Sequence, residues 1–162
     1  MPVLVVLIAA QTKTASYAAT AVFLVGGFSD GLDGYLARRH GMITRTGAWL
    51  DPLSDKLLVA APVLTMTALG DFPVWGAVLI LAREVAVSGL RVFRGTRGTS
   101  MPASDIAKVK TAAQIVAITL YLLPLPSSAN GARLAALSLA VAITVYSGLD
   151  YFLRASRRPT AS

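Results

Sequence analysis

The chain has no cysteine and a single histidine, His40. The first absence excludes disulfides and thiolate metal sites, and one imidazole cannot make a histidine-cluster metal centre. Acidic residues are few, with 8 Asp and Glu against 15 Lys and Arg in 162 residues, giving a net charge of +7. Charge of either sign is sparse, at 14% of residues, while 55% are hydrophobic and the mean hydropathy is +0.65. Soluble domains of this length are not so apolar, so the composition predicts an integral membrane protein. The short alternating runs of β-strands are also missing; the apolar stretches are long and rich in Ala and Leu, which predicts an all-α fold. No internal repeat or low-complexity segment is present.

Apolar runs at 17–39, 47–69, 73–92, 108–123 and 132–153 read as membrane helices, since about 20 apolar residues cross a bilayer. An apolar piece at 3–10 precedes them. It is too short to cross about 30 Å of hydrocarbon and reads as a re-entrant piece or a shortened first helix. The expectation is a polytopic bundle of about six helices in one domain, 1–162. Breakers separate the runs, as in Gly70-Asp71-Phe72-Pro73 and Pro124-Leu125-Pro126. The basic residues stand at the ends of these runs, which is a topology signal rather than a nucleic-acid-binding surface. One set of ends carries Arg38, Arg39, Arg45, Lys56, Arg91, Arg94, Arg97, Lys108, Lys110, Arg154, Arg157 and Arg158, whereas the opposite set carries Lys13 and Arg133. The first set is therefore expected on the cytoplasmic side of the cell membrane, with anionic lipid headgroups or anionic substrates as partners.

Against this apolar background four aspartates stand out: Asp30, Asp33, Asp51 and Asp55. On a helix, positions 30, 33, 34, 37 and 38 share one face, and positions 47, 51 and 55 share one face of the next helix. Four carboxylates from two helices suit hard divalent cations, Mg²⁺ or Mn²⁺. Two such ions are a common device for phosphoryl transfer. Helix-end ion pairing with Arg38, Arg39 and Lys56 would account for charge near an interface, but not for matched registers flanked by Gly31, Gly34 and Gly47. A cation transporter would place its carboxylates near mid-bilayer, whereas these lie beside Arg38, Arg45 and Lys56 at one edge.

The pattern D-x2-D-G-x2-A-R-x8-G-x3-D-x3-D, filled by Asp30, Asp33, Gly34, Ala37, Arg38, Gly47, Asp51 and Asp55, resembles the signature of the CDP-alcohol phosphotransferase family. That resemblance implies an enzyme that moves a phosphatidyl or related group from a CDP-linked donor to an alcohol and releases CMP. It implies a six-helix membrane fold, a homodimer and two divalent metal ions. By the same resemblance Asp30, Asp33, Asp51 and Asp55 are metal ligands and Asp55 is the catalytic base. Asp30, Gly34, Ala37, Arg38 and Gly47 would line the CDP pocket, with Arg38 meeting a phosphate.

A second group of cations bears on the acceptor. Arg83, Val87 and Arg91 share a helix face, with Arg83 about 12 Å deeper than Arg91 at 1.5 Å per residue. Lys108 and Lys110 open the next run. Together they could hold a buried phosphate. Membrane-edge anchoring is the plain alternative for Arg91, Lys108 and Lys110, and a structural pair with Glu84 is the alternative for Arg83. The stretches R-E-x6-R and K-x-K-T-x2-Q resemble the family branch that makes phosphatidylglycerophosphate, although Ala107 stands where that branch usually has Gly. This implies CDP-diacylglycerol as donor and glycerol 3-phosphate as acceptor. Related acceptors are inositol phosphate and, in cardiolipin synthesis, phosphatidylglycerol; a non-catalytic lipid-binding relative is a further possibility. The family's polar, basic approach to its first helix is not seen before Asp30.

Overall fold

The computed structural model describes the backbone of residues 1–40, 47–95 and 105–157, and the side chains of 1–29, 56–89, 109–150 and 153. Its described residues form six α-helices and no strand: α1 Pro2–Ala9, α2 Lys13–His40, α3 Gly47–Ala68, α4 Val74–Gly95, α5 Asp105–Leu122 and α6 Asn130–Arg157. A single 3₁₀ turn, Ser127–Ala129, leads into α6.

The limits of the long helices differ from the apolar runs by up to four residues because local capping, not hydrophobicity, sets them. Thr12 caps α2: its hydroxyl accepts the Ala15 amide at 3.2 Å and its carbonyl accepts that of Ser16 at 2.9 Å. Helix α3 stops at Gly70, whose φ of 82° is left-handed. The Asp71 amide reaches back to the Met66 carbonyl at 2.9 Å and the Gly70 amide to that of Thr67 at 3.1 Å, the paired bonds of a Schellman close. Pro73 then precedes α4 at its cap position, where its carbonyl accepts the Ala77 amide at 3.2 Å and its missing N–H costs nothing. The hydroxyls of Thr20, Thr65 and Thr67 bond to carbonyls one turn back, at 2.8, 2.8 and 2.6 Å, so they enter an apolar bundle already satisfied.

Helix α5 packs against α6, α2 and α3, while α4 packs against α6 and α3, and the short α1 lies over α2 and α3. The core between them holds Leu4, Phe23, Val63, Met66, Ile80, Ile118 and Leu137, all nearly inaccessible. Large apolar side chains also cover the outside: Phe28 is 81% exposed, and Val25, Val85, Leu139 and Tyr146 are exposed as well. That is more outward apolar surface than a water-facing helix normally carries. Among the described residues one stretch, Ser127–Asp150, is long and apolar enough to cross a membrane, and only a third of its most apolar part is buried inside the protein.

Two levels of contact fix helix directions. At one level Lys13 and Ser16 of α2, Met66 of α3 and Tyr121 and Leu122 of α5 line a shared cavity. At the other, Gly27 of α2 lies near Leu58 of α3 and Ile115 of α5. Helix α2 thus runs opposite to both α3 and α5. Beyond Gly27 and Leu58, the helices carry Asp30 and Asp33 (α2) and Asp55 and Asp51 (α3) toward the end where α5 begins. A structural consequence follows: both halves of the aspartate signature and Lys110 are brought to the same end of the bundle.

Candidate functional site

At that end the inward stripes of three helices change character. In α4 the buried stripe Ala77, Ile80 and Val87 is interrupted by Arg83 and Glu84. In α5, reading in the opposite direction, Leu122, Ile118 and Ala117 give way to Gln114 and Lys110, which are 1% and 7% exposed. In α6, Leu137, Ala140 and Val141 give way to Thr144 and Ser147. Because α4 and α6 run parallel and α5 opposes them, the three polar segments meet. Gly76 lies against Leu137 at the apolar level, and Arg83 against Gly148 at the polar level, which fixes that pairing of α4 with α6.

The polar segments are joined by side-chain bonds. Arg83 donates from Nη2 to Ser147 Oγ at 3.0 Å and from Nη1 to Glu84 Oε1 at 3.3 Å. The same Glu84 oxygen accepts from Lys110 Nζ, so one carboxylate bridges a cation of α4 and a cation of α5. Gln114 donates to Thr144 Oγ1 at 3.0 Å, tying α5 to α6. The side chains of Arg83 and Glu84 are only 12% and 17% exposed. Charges so placed persist only when paired and hydrogen-bonded, since an unpaired one costs several kcal/mol, order of magnitude. Gly148 makes room for this arrangement: a Cβ there would stand 3.2 Å from Arg83 Cγ.

Of the acceptor-phosphate residues expected from sequence, Arg83 and Lys110 are brought together through Glu84. The side chains of Arg91 and Lys108 lie outside the described residues. So do the side chains of Asp30, Asp33, Gly34, Ala37, Arg38, Gly47, Asp51 and Asp55, although their backbone is helical in α2 and α3. Among the described residues no group of three or more His, Cys, Asp or Glu could hold a metal ion. Sequence reasoning placed Glu84 beside Arg83 but did not foresee its bond to Lys110, nor the parts played by Ser147, Gly148 and Thr144. A signal was present: Ala140, Thr144, Ser147 and Gly148 form a small, partly polar stripe at offsets of 0, 4, 7 and 8 on one face of α6.

The family model for CDP-alcohol phosphatidyltransferase matches residues 1–146. This chain belongs to the CDP-alcohol phosphatidyltransferase family. The match covers the aspartate signature, Arg83, Glu84, Lys110, Gln114 and Thr144, and ends just before Ser147 and Gly148. The chain is 42% identical over 155 residues to a probable phosphatidylglycerophosphate synthase of Mycobacterium tuberculosis H37Rv, covering 93% of this chain and 74% of that protein. It is 39% identical over 141 residues to the CDP-diacylglycerol–glycerol-3-phosphate 3-phosphatidyltransferase of Bacillus subtilis 168, covering 85% and 73%. With the enzyme of that name from Escherichia coli K12 it shares 38% identity over 142 residues, covering 83% and 76%.

Proposed function

We propose that this protein transfers the phosphatidyl group of CDP-diacylglycerol to glycerol 3-phosphate, forming phosphatidylglycerophosphate and releasing CMP. What supports the proposal is that the helix segments bearing Asp30, Asp33, Asp51 and Asp55 run toward the end of the bundle where the largely buried cations Arg83 and Lys110 lie. The curated relatives named for this reaction support the same reading.

The chemistry follows from the residue types. A free hydroxyl of glycerol 3-phosphate attacks the lipid-side phosphorus of the donor. The bond from that phosphorus to the bridging pyrophosphate oxygen breaks, and CMP leaves with the electron pair. Asp55 takes the hydroxyl proton as general base. Asp30, Asp33, Asp51 and Asp55 form a donor set of hard carboxylate oxygens that fits Mg²⁺ or Mn²⁺, two ions in all. Such ions, when bound, neutralise the pyrophosphate and stabilise charge developing at the transition state. Asp30, Gly34, Ala37, Arg38 and Gly47 bind the CDP moiety, with Arg38 on a phosphate. Arg83, Arg91, Lys108 and Lys110 receive the phosphate of the acceptor, which a neutral alcohol would not require.

The setting is a polytopic membrane domain, 1–162, whose outward apolar side chains face lipid. Its basic end, which carries the site, faces the cytoplasm by the Lys/Arg bias at the cell membrane. We take the working form to be a homodimer, as the family resemblance implies. The test is CMP release from CDP-diacylglycerol in detergent with Mg²⁺, with and without glycerol 3-phosphate. Release should depend on glycerol 3-phosphate, and Asp55→Asn should lower it by at least about a hundredfold, the lower end for loss of a general base. Release supported equally by inositol phosphate or phosphatidylglycerol would overturn the acceptor assignment.

A further inference from the structure

We infer that Glu84, assisted by Ser147, is a positioning residue that sets Arg83 and Lys110 at the spacing the acceptor phosphate needs. The inference rests on the proposed reaction and deepens it at the same site.

Three observations carry it. First, a single Glu84 oxygen accepts from both cations, one on α4 and one on α5. Lysine presents a point charge on a flexible four-carbon stem, so Lys110 gains a defined position only if something holds its ammonium. Glu84 does so, and the Gln114 side chain also bears on Glu84. Second, Arg83 is fixed from the other side, by Ser147 Oγ at 3.0 Å, in a space left by Gly148. The guanidinium is thereby set from two directions, by side chains 1 and 64 positions away in sequence.

Third, the joins of α4 to α6 and of α5 to α6 do not depend on these charges. Helices α4 and α6 already meet through Gly76 and Leu137, and α5 and α6 through Gln114 and Thr144. A buried ion pair is a poorer stabiliser than an apolar pair of similar volume, and ionisable residues inside membrane bundles generally mark a working site. The three charges sum to +1 (Arg83 and Lys110 positive, Glu84 negative). Within this trio Glu84 offsets one of the two cations and leaves a net attraction for an anion, and the phosphate meets donors already in place. Preorganisation of this kind lowers the entropy lost on binding.

The experiment uses the full chain in detergent with Mg²⁺, measuring KM and kcat for each substrate, together with the midpoint of thermal unfolding. Glu84→Gln should raise KM for glycerol 3-phosphate by about tenfold, the size of one lost charge-assisted bond, with KM for CDP-diacylglycerol changed by less than about twofold. Glu84→Asp keeps the charge on a shorter stem and should recover part of the loss. Ser147→Ala should shift the same constant by about threefold, as for a neutral partner. Both KM values moving together, or unfolding at a lower temperature with both unchanged, would overturn the inference. If Glu84→Gln does not fold, Ser147→Ala decides: without a selective rise in the glycerol 3-phosphate KM the inference fails. Wild-type protein whose CMP release ignores glycerol 3-phosphate would overturn the acceptor assignment and this inference with it, whereas failure of the variants alone removes only the inference.

Discussion

Two arginines, at opposite ends of the bundle, are held in contrasting ways. Arg133, near the start of α6, bonds mainly to backbone: its Nε meets the Leu120 carbonyl at 2.9 Å and its Nη2 the Leu123 carbonyl at 2.7 Å, beside one side-chain bond from Nη1 to Asn130 Oδ1 at 3.3 Å. It also lies over the Tyr121 ring, 5.9 Å from the centroid, and Tyr121 in turn packs on Phe72. The C-terminal carbonyls of α5 lack helical partners, and a cation there satisfies them and complements the helix dipole. Arg83, at the other end, bonds to the side chains of Glu84 and Ser147. Backbone carbonyls at a helix end stay where the helix puts them, so Arg133 is committed to closing the α5–α6 connection. Side-chain partners can share an arginine with an incoming anion. On the proposed function, the difference separates an arginine that holds the fold from one placed to meet a ligand.

The largest expected effect tests the second arginine. Arg83→Ala should lower kcat/KM for glycerol 3-phosphate by about a hundredfold, through the loss of a bidentate-capable phosphate partner. The fold should survive, because Glu84 keeps its bond to Lys110. Steady-state kinetics with each substrate varied in turn makes the check. Equal losses for both substrates would erase the distinction drawn between the two arginines.

The same contrast shows what was legible in the sequence. The long apolar runs marked α2 to α6, since each is long and bounded by breakers. The apolar run at 3–10 corresponds to α1, Pro2–Ala9, an eight-residue helix. The start of α2 was placed four residues late because hydrophobicity set the limit, whereas the Thr12 cap begins the helix at Lys13. At the site, the aspartate spacing was readable because it lies within two neighbouring helices and obeys helical periodicity. The link from Glu84 to Lys110 spans 26 positions, and that from Arg83 to Ser147 spans 64. Periodicity says which residues share a face but not which face meets which, so those partners emerged only with the packing. Arg133 read as a topology charge for the same reason: its carbonyl partners are defined by a turn, not by a motif.

A smaller effect tests the first arginine. Arg133→Gln should leave the α5 carbonyls poorly satisfied and destabilise the protein by about 2 kcal/mol, within the range for buried polar groups that lose a partner. Both KM values should stay unchanged. Thermal unfolding in detergent beside the kinetic assay measures the two together. A selective change in either KM would mean that the Arg133 end communicates with the site and is not merely structural.

The smallest effect is the sharpest, because it alters Arg83 without removing any of its bonding groups. In Gly148→Ala the new Cβ would stand 3.2 Å from Arg83 Cγ and 3.7 Å from its Nε. The arginine stem is flexible and must yield by a few tenths of an ångström, which shifts the guanidinium against Ser147 and Glu84. Small misplacements of a binding group cost rate disproportionately, so KM for glycerol 3-phosphate should rise by about three- to fivefold. The unfolding temperature should barely move, since alanine favours a helix interior over glycine and offsets the crowding. A rise in the glycerol 3-phosphate KM without loss of stability would show that the position of Arg83, and not only its charge, is what α6 supplies. An unchanged KM would mean that the site tolerates a displaced guanidinium and that Gly148 serves helix packing alone.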